Sequence, residues 1–200
     1  MGGCDVFRRA GSRILGEVVV VLAGLLLTAC SNPVAVGQSN KAGDYNQKLK
    51  RVLVAMNLQS SGMTDTNKNA LIRPEELRKS FNTKWVPLGL SVEVVDLGAA
   101  PNKSEAMGAA IAAANPTQAM ELKTTSYTTT SYVLDGYSVS ANLYDPRTKK
   151  VVWRTVVEFK PFSAAGRLRN GPMGSPISHQ DDANELVDAL TVKLKSDGLL

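Results

Sequence analysis

The stretch that decides the fold is "RVLVAMNL", Arg51 to Leu58. It is of strand length, nearly continuously apolar and rich in β-branched residues. A strand with one wet face alternates polar and apolar side chains. A run without alternation is expected where both faces are covered, as in the centre of a sheet flanked by helices. The neighbouring residues fit that reading. "QSSGMTDTNKNA" (59 to 70) supplies a polar loop, and a helix is then signalled by Pro74 near its start, Glu75 and Glu76 in its first turn, and Leu77, Phe81 and Trp85 at i, i+4 and i+8. Pro87 and Gly89 end it, and "LSVEVVDL" (90 to 97) reads as a second strand. A β-helix-β unit of this length implies a parallel, right-handed crossover.

Farther along, "PNKSEAMGAAIAAANP" (101 to 116) is an alanine-rich helix, with Ser104 or Asn102 as its cap and Pro116 as its stop. No Gly-rich loop precedes it, which weakens an anion-site reading. The texture then changes. "AMELKTTSYTTTSYVL", "GYSVSANLYD" and "KVVWRTVVEFK" carry Thr, Tyr and Val in period two, with turns expected at Asp135-Gly136 and at Asp145 to Lys149. This is an antiparallel meander with Tyr137, Val139, Ala141 and Leu143 on one face and Ser138, Ser140 and Asn142 on the other. An eighteen-residue Gly/Pro/Ser-rich loop, Pro161 to Ser178, precedes a last helix. In that helix Asp181 and Asp182 sit in the first turn, Lys193 and Lys195 in the last, and Ala183, Leu186, Leu190 and Leu194 form one face. The expected fold is one α/β (α+β) domain. Its elements run β-α-β-α-β-β-β-α, giving a mixed sheet with helices mainly on one face.

The amino-terminal end belongs to a different kind of sequence. Arg8, Arg9 and Arg13 precede an apolar stretch whose uninterrupted part, Val18 to Ala29, has 12 residues. A helix needs about 20 to cross the hydrocarbon core. A basic region, a short apolar region and a small-residue exit form the layout of a secretory signal. Leu27-Thr28-Ala29-Cys30 resembles the lipobox of bacterial lipoproteins. The resemblance implies cleavage before Cys30, a diacylglyceryl group on its thiol and an acylated new amino terminus. Residues 1–29 are then a signal peptide, 30–47 the lipidated cysteine with a flexible polar tether, and 48–200 the periplasmic domain. Each buried methylene of an acyl chain contributes about 0.8 kcal/mol, so two or three chains hold a domain at a bilayer. Among such lipoproteins an aspartate after the cysteine commonly signals inner-membrane retention, so Ser31 points to the outer membrane.

Chemistry is harder to find. The formal charge of +5 is mild and the basic residues are scattered, which argues against nucleic-acid binding. His179 is the only histidine and Cys4 and Cys30 the only cysteines. With Cys4 in the signal and Cys30 lipidated, no disulfide and no His/Cys/acid metal cluster is available, and no cofactor is expected. A nucleophile-base pair would need His179, which beside a helix start reads better as a surface residue. Asp181 and Asp182 could be read as a glycosidase pair, but neighbours at a helix start point to different sides, and dipole complementarity explains them. "TTSYTTTSY" is either a hydroxyl-rich glycan surface or the solvent face of a strand. The sharpest site candidate is a protein-contact surface made of Tyr127 and Tyr132 on the meander with Arg167 and Arg169 on the long loop, residue types that carry contact energy.

The lipobox, the short tether, "KRVLVAMNL" and "LYDPRTKKVVWR" together resemble small periplasm-facing bacterial lipoproteins. The element order is similar to that of the amino-terminal domain of TolB and of the outer-membrane lipoprotein activators of penicillin-binding proteins. The likeness implies a non-enzymatic binding or assembly module for an envelope protein or peptidoglycan-associated machinery, and transfers no catalytic residue. The rivals are an envelope hydrolase, which would need a convergent acid-base site, and a lipid or glycan carrier, which would show an apolar cavity beneath the meander.

Overall fold

The computed structural model describes residues 34–60, 62–130, 132–160 and 179–200. These form one mixed α/β domain around a seven-stranded sheet. The strands are β1 (Val34–Val36), β2 (Asn40–Lys41), β3 (Arg51–Asn57), β4 (Ser91–Asp96), β5 (Gln118–Thr130), β6 (Val133–Asp145) and β7 (Lys150–Phe159). The helices are α1 (Asp65–Asn69), α2 (Pro74–Lys84), α3 (Lys103–Ala114) and α4 (His179–Ser196). Across the sheet the order is β1-β7-β6-β5-β3-β4, with β2 also on the outer edge of β7. β3 lies parallel to both β4 and β5, and the remaining pairings are antiparallel.

The continuous apolar run behaves as its composition requires. Every residue of β3 after Arg51 is buried. Val52, Val54 and Met56 face the main core, where Leu77, Phe81 and Trp85 of the α2 side and Ala183, Leu186, Leu190 and Leu194 of α4 are fully enclosed. Leu53 and Ala55 point to the other face, where α3 packs on β3. Two helices therefore cover one face and the alanine-rich α3 only part of the other. Helix α3 has no fully buried residue, because alanines give it little apolar area to bury. Phe81 and Trp85 meet edge to face at 4.5 Å. The indole N–H of Trp85 donates to Thr191 Oγ1 at 2.8 Å, which fixes α2 against α4.

Three details differ from the sequence reading. The polar loop after β3 contains the five-residue helix α1, capped by Thr64, whose hydroxyl accepts from Asn67 N. Five residues are too few to show helical periodicity. The first meander reversal falls between Thr130 and Val133, with Tyr132 at φ 68°, and not at Asp135-Gly136. Asp135-Gly136 lies inside β6 at a register shift: Thr128 faces Gly136 and Thr129 faces Leu134, which leaves Asp135 as the extra residue of a bulge. Finally, the span 30–47, expected as a tether, is built into the sheet from Val34 onward. Val34 faces Phe159, Val36 faces Val157 and Lys41 faces Trp153. The low apolar content of this stretch hid two short edge strands, which pair with β7 through the backbone while only a few half-buried side chains, Val34 among them, reach the core.

Candidate functional site

The exposed face of the sheet, beside α3, carries a groove of about 660 Å³. One wall is a stripe of α3: Lys103, Ser104, Met107, Gly108 and Ile111. The floor and the far wall are Glu121 of β5, Tyr144 and Asp145 of β6, and Pro146 and Lys149 of the β6–β7 turn. Strand alternation puts these residues here. Met120 and Leu122 point into the core, so Glu121 between them points out, and Tyr144 follows Leu143 in the same way.

The floor is a connected polar array. Asn57 Nδ2 donates to Glu121 Oε1 at 3.3 Å, and the Tyr144 hydroxyl donates to Glu121 Oε2 at 3.2 Å. Lys103 Nζ donates to Asn57 Oδ1 and, at 3.3 Å, to the carbonyl of Gln59. Glu121 is thus held by two neutral donors. Burial, and then the charge of Glu121 and its hydrogen bond, push the Tyr144 phenol above its ordinary range, so it stays a proton donor at neutral pH. Met107, Ile111 and Pro146 supply apolar walls. At Gly108 an added Cβ would meet nothing within 4 Å, so this glycine is not demanded by packing inside the domain; it leaves the wall of the groove low. The volume falls in the range of small-molecule and side-chain pockets, about 300–1,000 Å³.

The residues singled out from the sequence lie elsewhere. Tyr127 and Tyr132 share the β5–β6 hairpin at the opposite end of β6 from the β6–β7 turn. Tyr127 is half-buried and turned toward its own chain, its hydroxyl donating to the carbonyl of Gly62 at 3.0 Å. Tyr132 stands 89% exposed at the tip. Arg167, Arg169 and Cys30 lie outside the described residues, as does the whole loop 161–178. At the start of α4 the two acids do diverge: Asp181 is exposed, whereas Asp182 is buried and accepts a hydrogen bond from Tyr137 at 2.9 Å. Among the described side chains of "TTSYTTTSY", Thr125, Ser126, Thr128, Thr129 and Tyr132 are exposed and Thr124 is buried.

Sequence reasoning missed the groove. Its usable signals were single polar residues in otherwise apolar settings, Asn57 closing the run "RVLVAM" and Glu121 within "AMELK". Nothing local shows that they meet, since Asn57 and Glu121 are 64 positions apart. Among the described residues no helix is long and apolar enough to cross a membrane, and no group of three His, Cys, Asp or Glu is placed to hold a metal ion.

No family model and no curated protein matches the chain. Solved structures do. A PelC dodecamer from Paraburkholderia phytofirmans is similar at TM-score 0.42 and 15% identity, over 78% of this chain and 96% of that one. Lipoprotein GNA1162 from Neisseria meningitidis is similar at TM-score 0.40 and 14% identity, over 74% and 99%. TolB from Acinetobacter baumannii is similar at TM-score 0.34 and 15% identity, over 82% of this chain but 31% of that one.

Proposed function

We propose that this chain is an outer-membrane lipoprotein, anchored through Cys30 and facing the periplasm, whose domain binds another envelope component without catalysing a reaction. The partner is an envelope protein or cell-wall machinery. The observation that carries the reading is the construction of the groove floor. Its polar groups satisfy one another, Lys103 to Asn57 to Glu121 to Tyr144, within apolar walls. That is an arrangement for holding a ligand in one orientation. Catalysis by general acid and base needs groups poised to exchange protons near neutral pH. A phenol held above its ordinary range supports a donor role instead.

A lipid or glycan carrier is the second reading, and the size of the groove favours it. Against it, the meander's core face, where such a cavity was expected, is filled by α4.

The test uses crosslinked envelopes. Wild type is expected to recover a stoichiometric protein partner, and Gly108→Leu, which fills the groove while improving helix propensity, is expected to lose it. Retention by Gly108→Leu with loss in Arg167→Glu/Arg169→Glu would move the contact to the loop. Recovery of no protein by wild type would remove the binding-module reading. Palmitate labelling of wild type and Cys30→Ala tests the anchor, and equal labelling of both would sink it.

A further inference from the structure

We infer that the groove beside α3 takes an acidic, extended segment of the partner protein, whose carboxylates meet Lys103 and Lys149 and whose apolar side chains lie between them. The inference rests on the binding-module reading above and names the chemistry of the ligand. Helix α3 lies antiparallel to β3. Its first residue, Lys103, is bound at Asn57, the end of β3, while Thr117, just after the helix, accepts from the backbone N–H of Arg51, the start of β3. From Lys103 to Ile111 the helix rises about 12 Å. Lys149 stands at the Ile111 end, because β6 finishes beside the start of β5, with Tyr144 facing Ala119. The groove therefore runs between two ammoniums, a span that about four extended residues fill.

Charge decides what kind of segment fits. The charged residues lining the groove are Lys103, Glu121, Asp145 and Lys149. Both acids are already engaged. Glu121 accepts from Asn57 and Tyr144, and the buried Asp145 accepts from the backbone N–H of Arg147 at 2.9 Å and from its Nε at 3.5 Å. Neither lysine is paired with a carboxylate among the described residues. Lys103 Nζ donates to the neutral oxygens of Asn57 and Gln59, which leaves the third proton of its ammonium for a ligand. Glu105, the one acid of α3, hydrogen-bonds to the cap residue Asn102. On the turn, Arg147, Lys149 and Lys150 are all exposed. The groove thus lacks an anion, and complementarity of charge selects an acidic partner. Met107, Ile111 and Pro146 supply apolar contact between the two cationic ends. A lipid anion would need more apolar wall than these three side chains provide.

The experiment treats envelopes holding the full-length protein with a carbodiimide, which joins a lysine amine to a touching carboxylate as an amide, with loss of water. In the wild type, peptides containing Lys149 or Lys103 are expected to be joined to an Asp or Glu of another protein, within a segment that also carries apolar residues. Co-purification of that protein without crosslinker is expected to fall about tenfold in Lys149→Glu/Lys150→Glu, where attraction at the rim becomes repulsion, and to persist in Lys149→Arg/Lys150→Arg. Equal co-purification by wild type and the charge-reversed protein, with loss in Gly108→Leu, would overturn the inference and leave the binding-module reading standing. A lysine joined to a carboxylate of a second copy of this chain would also overturn it. So would an anionic lipid retained by wild type and lost on charge reversal, with no protein joined. Recovery of no partner and no lipid by wild type would remove the binding-module reading and the inference together.

Discussion

At the scale of single residues, Asp197 shows how a surface position becomes structural. It follows α4, and its carboxylate accepts from the buried indole of Trp153 at 2.6 Å, while its carbonyl accepts from Lys41 Nζ at 2.9 Å. One residue thereby ties together α4, β7 and the edge strand β2. Burial alone would raise its carboxyl pKa. Hydrogen bonds from Ser39 and Trp153, aided by Lys193 and Ser196, outweigh burial and leave it below the ordinary value of 3.8. The direction fixes the sign: this stabilisation is complete above the unfolded value and fades as pH falls through the lower, folded one. Asp197→Leu is therefore expected to lose about 1–3 kcal/mol, because the Trp153 N–H is left buried without an acceptor. Urea melts of both proteins at neutral pH and at a series of pH values descending below 3.8 check this, with the difference between them shrinking in acid.

At the scale of elements, α4 is the clearest case of a sequence pattern that the fold uses as written. Its apolar face, Ala183, Leu186, Leu190 and Leu194, is completely buried, while Asp181, Asp188 and Lys195 lie outside. Leu186→Ala is expected to cost about 2–5 kcal/mol, since it opens a cavity in a filled core; thermal or chemical denaturation measures it. Helix α3 is the contrasting case. Its alanines and Gly108 bury little, so it contributes less to stability than to the shape of the groove it walls. The two strands of the first hairpin were legible from their alternation, but the reversal was not. Asp-Gly is a strong turn dipeptide, yet here a bulge absorbs it and Tyr132 takes the left-handed position at φ 68°.

At the scale of the whole molecule, the sheet is closed differently at its two sides. At the β4 side Arg78 donates to the Val94 carbonyl at 3.2 Å, part of the cover over an edge strand. At the β7 side the cover is β1 and β2, which lie just after Cys30 in sequence. The segment that leads to the proposed anchor is therefore also the cap on a sheet edge. Removing residues 34–41 is expected to leave β7 open and to drive self-association, since an unpaired edge recruits strands from other copies. Size-exclusion chromatography of the truncated and intact domains reads this directly, and an unchanged elution position would contradict it.

The sequence by itself determined the class of fold. A strand buried on both faces, helices amphipathic on one side and a meander alternating with period two each announce themselves through short-range periodicity, which needs no knowledge of partners. It also supplied the case for an anchor at Cys30, because a lipobox is read as a linear motif. Tertiary structure decided the rest. Asn57, Lys103, Glu121 and Tyr144 come from four separate elements and meet only because parallel pairing of β3 with β5 and antiparallel pairing of β5 with β6 set their registers. Register is a long-range property, fixed by which faces the core buries. For the same reason the stretch after Cys30 looked like a loose tether: edge strands held by backbone hydrogen bonds leave almost no trace in side-chain pattern.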